Sequence, residues 1–91
     1  MPVRVHIPTP LRKLTDAKAE VRIEADTVKA LIANMDARYR GMGDKLVDGD
    51  GAVRGYVNLY VNDEDIRFQQ GMDTPLADGD TVSIVPAIAG G

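Results

Sequence analysis

The residues best suited to do chemistry in this chain are its last two. The sequence closes on Pro86-Ala87-Ile88-Ala89-Gly90-Gly91. Glycine has no Cβ, so a Gly-Gly arm is thin, adopts φ values other residues avoid, and can thread a narrow channel. At its tip stands a carboxylate. Such an arm suits an enzyme that must bring a protein's own C-terminus to the α-phosphate of ATP. The competing reading is a linker remnant or a frayed end.

Other reactive types are sparse. There are no cysteines, which excludes disulfides, zinc–thiolate sites, iron–sulfur clusters and a thiol nucleophile. One His and one Ser are present, so a Ser-His-acid triad would need both. His6 alternates onto the polar side of its strand, and Ser83 lies mid-strand with no His near it in sequence. Both read as surface residues. Asp63, Glu64 and Asp65 could do acid–base work as paired acids, but a hairpin tip is solvated, and turn chemistry is the better reading. Asp48-Gly49-Asp50-Gly51 hints at a calcium loop, yet the fifth-position acid and closing Glu of an EF-hand are missing. Gly41-Met42-Gly43 lacks the third glycine of a dinucleotide fingerprint. No metal site and no cofactor-binding site is expected.

Positioning these groups falls to one small domain of 91 residues. Hydrophobic residues make up 44% and charged residues 27%, which is globular rather than disordered usage. A net charge of −3 argues against non-specific nucleic-acid binding. No apolar run approaches a membrane span, and no signal peptide is read at the N-terminus, so the cytoplasm is expected. Charge is uneven. Residues 1–43 carry eight basic and five acidic side chains, whereas residues 44–91 carry three basic and nine acidic. Solvated turns explain this, and an acidic surface that steers a basic partner is the alternative.

Val3, Val5 and Ile7 alternate with Arg4 and His6, predicting a strand ended by Pro8. Residues 9–19 read as a loop, and residues 20–25 as a second strand antiparallel to the first. Val28, Leu31, Ile32, Met35 and Tyr39 form one stripe of a helix, capped by Asp26 or Thr27 and ended near Gly41. Residues 41–55 read as an irregular loop with one helical turn. Val57, Leu59 and Val61 point inward from a third strand, with Tyr56 and Tyr60 on its other side as a cross-strand contact or a partner surface. Asn62–Asp65 reads as a turn, and Ile66–Phe68 as a short return strand. Thr81 to Val85 is the last strand, closed by Pro86. The order predicts a two-layer α+β domain, a ubiquitin-like β-grasp over residues 1–86. Its mixed sheet has four or five strands with one main helix on one face, and a flexible tail follows over 87–91.

The chain resembles the ThiS/MoaD family of ubiquitin-like sulfur carriers along nearly its whole length. The resemblance rests on Ile7-Pro8-Thr9 with Leu11-Arg12, on Asp26-Thr27 at the helix start, on Ala77-Asp78-Gly79-Asp80 before the last strand, and on the tail. Val57 to Phe68 and the Pro-Ala-Ile-Ala-Gly-Gly ending are most similar to the CysO-type branch of cysteine biosynthesis. The glycine-rich 41–55 segment is longer than in the shortest thiamin-type carriers. The resemblance implies a protein co-substrate, not an enzyme, binding no cofactor of its own. An E1-like adenylyltransferase would use ATP and Mg²⁺ to adenylate Gly91, with Gly90 giving clearance. A sulfur donor or sulfurtransferase would then leave a thiocarboxylate. A pyridoxal-phosphate cysteine synthase would accept the sulfur, and a zinc metallopeptidase would release cysteine. Ala87, Ile88 and Ala89 would guide the arm, and Pro8, Ile66, Phe68 and Val85 would form an apolar docking patch. Three other readings stand beside this one: the small subunit of molybdopterin synthase, a ubiquitin-like modifier joined through Gly91, and a plain interaction domain.

Overall fold

In the computed structural model, which describes residues 2–86, the alternation in the sequence becomes the two faces of a sheet. Strand β1 (Pro2–His6) buries Val3 and Val5 and exposes Pro2, Arg4 and His6. It pairs antiparallel with β2 (Glu20–Glu24), setting Val3 opposite Ile23 and Val5 opposite Val21. The connection contains a 3₁₀ turn over Thr9–Leu14, where the sequence predicted an irregular loop. Pro10 fits its first turn, where a missing N–H costs nothing. Thr15 is fully buried behind it and donates its hydroxyl to the Lys18 carbonyl at 2.9 Å.

Helix α1 (Val28–Arg38) buries Val28, Leu31, Ile32 and Met35 of the predicted stripe, whereas Tyr39, its fifth member, is the C-cap and is only partly buried. Thr27 caps it, its Oγ1 accepting from the Ala30 N–H at 3.1 Å. The helix ends at Tyr39, two residues before Gly41. Gly41 has φ +96° and starts a second short helix, α2 (Met42–Leu46), instead of ending the first. Asp36 joins the two helices, with Oδ1 accepting from Gly41 N–H at 3.2 Å and Gly43 N–H at 2.9 Å. A Cβ on Gly43 would stand 3.0 Å from Asp36 Cγ, so this approach needs glycine. Met42 and Leu46 carry α2 into the core.

Strand β3 (Val57–Val61) buries Val57, Leu59 and Val61 as expected. The reversal after it is tighter than predicted. Asn62 and Asp63 alone make the turn, at φ +51° and +71°, and Val61 pairs directly with Glu64. Both central residues at positive φ define the type I′ hairpin, whose twist matches that of the strands. The return strand is therefore β4 (Glu64–Asp65), and Ile66–Phe68 is a 3₁₀ turn, not a strand. The cause is Asp65, whose side chain accepts the Arg67 N–H at 2.8 Å and caps that turn.

Strand β5 (Thr81–Pro86) inserts between β1 and β3, parallel to the first and antiparallel to the second. The five strands run in the order β2-β1-β5-β3-β4. The side chains of β1, β2, β3 and β5 that meet the helical layer are Val and Ile, with Leu59. Each fully buried one contributes about 1.5–3 kcal/mol relative to exposure. The outer edge of β2 is covered by α1: Asn34 Nδ2 donates to the Glu24 carbonyl at 2.6 Å, and Arg38 Nη1 to the Arg22 carbonyl at 3.4 Å. The other face of the sheet is open and carries Arg4, His6, Tyr60, Ser83 and Val85.

Candidate functional site

The candidate site is where β5 ends. This strand lies third of five, so hydrogen-bonded neighbours on both sides hold it. Its last pair is Pro86 opposite Val57. Proline has no N–H to give to the ladder at that position. The arm predicted to do the chemistry, Ala87, Ile88, Ala89, Gly90 and Gly91, lies outside the described residues. What the fold fixes is its root, a stiff central strand.

Beside that root is an apolar pocket of about 110 Å³, walled by Pro8, Pro10, Leu11, Tyr56, Ile84 and Pro86. Because β1 runs parallel to β5, the chain leaving β1 passes beside the end of β5, and its Pro8–Leu11 segment becomes one wall. Tyr56, just before β3, forms another and is half exposed.

The four predicted docking positions do not form one patch. Pro8 is half-buried in the pocket wall, and Val85 is exposed on the open sheet face. Phe68 is 80% exposed. Ile66 is 3% exposed and belongs to the core, which corrects the expectation that it faces a partner. A strand would have pointed Ile66 and Phe68 the same way. A 3₁₀ turn at three residues per turn sends one in and the other out. Tyr56 and Tyr60 likewise separate: Tyr56 lines the pocket, while Tyr60 lies opposite Ser83 and Asp65 on the open face.

One grouping escaped the sequence reading. The register places His6 opposite Ser83 and Glu20 opposite His6, so the single His and single Ser are neighbours across strands. His6 Nε2 stands 3.3 Å from Glu20 Oε1, with both side chains about half exposed. No hydrogen bond joins Ser83 to His6 among the described residues. Only the parallel pairing of the first and last strands could have revealed this contact, and that pairing leaves no local signal. Further along the same row, Asp65 is held below its ordinary carboxylate value. The chief cause is the Arg67 guanidinium, which donates to both its oxygens at 2.7–3.2 Å, helped by the Arg67 backbone N–H.

The acidic loops are turns. Asp48 Oδ1 accepts from the N–H groups of Asp50 and Ala52 at 2.9 and 3.1 Å. No group of three or more His, Cys, Asp or Glu that could hold a metal occurs among the described residues. Nor is any helix there long and apolar enough to cross a membrane.

A mixed five-stranded sheet, parallel at its centre, backed by one main helix and ending in a central strand, defines a ubiquitin-like β-grasp protein. Within that class, the chain belongs to the ThiS family, whose model matches residues 5–91. It is 46% identical to the sulfur carrier protein CysO of Mycobacterium tuberculosis over 93 aligned residues, covering 100% of both chains. Its structure is similar to the crystal structure of that organism's CysO, with a TM-score of 0.90, 44% identity, and 94% and 99% of the two chains covered. It is also similar to the crystallised BexX/CysO complex of Amycolatopsis orientalis, with a TM-score of 0.91, 40% identity, and 98% and 99% coverage.

Proposed function

We propose that this protein is a sulfur carrier of cysteine biosynthesis, working through the carboxylate of Gly91. The observation that carries the reading is full-length similarity to CysO, with a family match that includes Gly90-Gly91. The chemistry is group transfer at one carbon. The Gly91 carboxylate attacks the α-phosphorus of ATP in an E1-like adenylyltransferase, pyrophosphate leaves, and Mg²⁺ on the partner balances the phosphate charge. A sulfide-level donor such as hydrosulfide then attacks the acyl carbon, AMP departs with the C–O bond's electrons, and the sulfur's proton passes to solvent. The resulting thiocarboxylate is an anionic, polarizable nucleophile near neutral pH, as a low-pKa thiolate is. A pyridoxal-phosphate cysteine synthase takes up that sulfur, and a zinc metallopeptidase releases the product. The carrier supplies a rigid handle and a slender tip, and it acts in the cytoplasm as a co-substrate. That a CysO was crystallised with BexX supports a carrier that works by docking on other proteins.

The pathway is tested by incubating the thiocarboxylate form with a pyridoxal-phosphate cysteine synthase and its activated serine substrate. Cysteine attached to the carrier is the expected product. Transfer of the sulfur to a pterin instead, with no cysteine formed, would assign the chain to molybdopterin synthesis. Ladders of lysine conjugates that vanish on deleting Gly91 would make it a modifier.

A further inference from the structure

We propose that the helical layer carries a docking groove for a cationic side chain of a partner protein, an arginine or lysine presented on an exposed segment. The groove holds about 460 Å³ between α1, α2, the loop at Asp50-Gly51 and the 3₁₀ turn Gly71–Asp73. Lys29, Ile32, Ala33 and Asp36 stand three and four apart on α1, so one side of that helix forms a flank. Asp36 Oδ1 accepts from the Gly43 N–H at 2.9 Å and so fixes how closely α2, the other flank, approaches.

The floor is apolar and the rim is acidic. Ile32 belongs to the core, Val47 and Met72 are partly buried against it, and Ala33 is exposed beside them. Asp36, Asp44, Asp50 and Asp73 stand round this floor, four carboxylates against the single ammonium of Lys29.

Solvated turns do not account for these acids. Among those that crowd residues 44–91, Asp48, Asp65 and Asp80 serve the fold. Asp48 accepts N–H groups of its own loop, Asp65 holds Arg67, and Asp80 accepts from Asn62 Nδ2 and the Ala77 N–H. Asp44, Asp50 and Asp73 form no side-chain hydrogen bond or ion pair among the described residues. Arg54 reaches this side, but its Nε donates to the Asp44 backbone carbonyl at 2.6 Å and not to a carboxylate.

The charge and the floor together select the occupant. Carboxylates of one sign around a groove focus a negative potential and attract a cation. A metal ion is not the match, since no group of three or more acids that could hold one occurs among the described residues. An arginine or lysine suits both parts, because its methylene stem covers apolar surface while its charged head stays at the wet rim. The groove lies on the far side of the sheet from Arg4, His6, Tyr60 and Ser83. It shares no residue with the pocket at the end of β5, so a partner seated here leaves that end open.

Amide NMR of the full chain, titrated with a short acetylated and amidated peptide of alternating leucine and arginine, tests this. The same peptide with glutamate in place of arginine is the control. Expected with the arginine peptide are saturating shifts at Ala33, Asp44, Val47 and Gly51, with affinity about tenfold lower at high salt than at low salt. Asp44→Asn combined with Asp73→Asn should weaken binding about tenfold at low salt. Asp63→Asn combined with Asp78→Asn removes the same charge at turns outside the groove and should change it by less than about twofold. Ala33→Arg should abolish binding by supplying the cation from within. All five positions are exposed, and asparagine suits the positive φ of Asp63, so the variants keep the fold. Shifts spread evenly over every acidic turn would overturn the proposal, as would equal losses in the two double variants. Equal binding of the glutamate peptide, or no saturable shift at all, would do the same.

Discussion

In the proposed chemistry Gly91 supplies the carboxylate and Gly90 the clearance, and neither is expected to contribute to stability. Deleting Gly91, or replacing Gly90 with Val, is expected to abolish adenylation while leaving the melting temperature within about a degree. Surface changes away from packed features usually stay within about 0.5 kcal/mol. Calorimetry beside a pyrophosphate-release assay checks both halves, and a large loss of stability would place these glycines inside the fold. Asp65 and Arg67 give a different kind of expectation. Asp65 is depressed below its ordinary value of 3.8 by Arg67. A depressed carboxylate contributes stability that is present above its unfolded pKa and lost as pH falls through the folded one. Arg67→Ala should therefore be less stable than the parent at neutral pH, with the difference shrinking as pH drops below about 4. Arg67 is largely exposed, so the effect is small and falls with added salt. An Asp65 titration that does not rise in the variant would contradict this.

Periodic segments were legible in the sequence, and segments governed by a single side-chain bond were not. β1, β2, β3, β5 and α1 follow from alternation or a helical stripe, because each has one face to bury. Ile66–Phe68 looked like a strand because its apolar residues alternate, but the Asp65 side chain captures the Arg67 N–H and winds the chain into a 3₁₀ turn. Thr9–Leu14 looked irregular because its polar composition hides a turn closed by backbone bonds from Leu11 to Pro8 and from Thr15 to Arg12. The pairing of β1 with β5 joins residues some 77 positions apart, such as His6 and Ser83, and no local pattern encodes it. The start of α1 supplies a further expectation. The Val28 N–H donates to Thr74 and the Ala30 N–H to Thr27 Oγ1, so only the second bond depends on a side chain. Thr27→Ala should lower unfolding stability by about 1 kcal/mol in urea titrations. An unchanged midpoint would mean that the backbone bonds to the Thr74–Leu76 segment hold the helix start unaided.

The assembled domain reads as a handle. Strand β5 is gripped from both sides, the β2 edge is covered by Asn34 and Arg38, and the proposed reactive carboxylate of Gly91 comes five residues after Pro86. Covering an edge in this way blocks strand-to-strand association with other chains. The proposed docking surface is smaller than the sequence suggested, because Ile66 belongs to the core and Pro8 and Val85 face different ways. The tail over 87–91, read from the local Gly-Gly signal, lies outside the described residues. Intact-mass spectrometry of the protein purified from sulfur-replete cells of its own host bears on all of this at once. The expected result is a population in which one oxygen at the Gly91 terminus is replaced by sulfur, absent from the Gly91 deletion. A uniform unmodified carboxylate, unchanged when the activating enzyme and ATP are supplied, would contradict the sulfur-carrier reading.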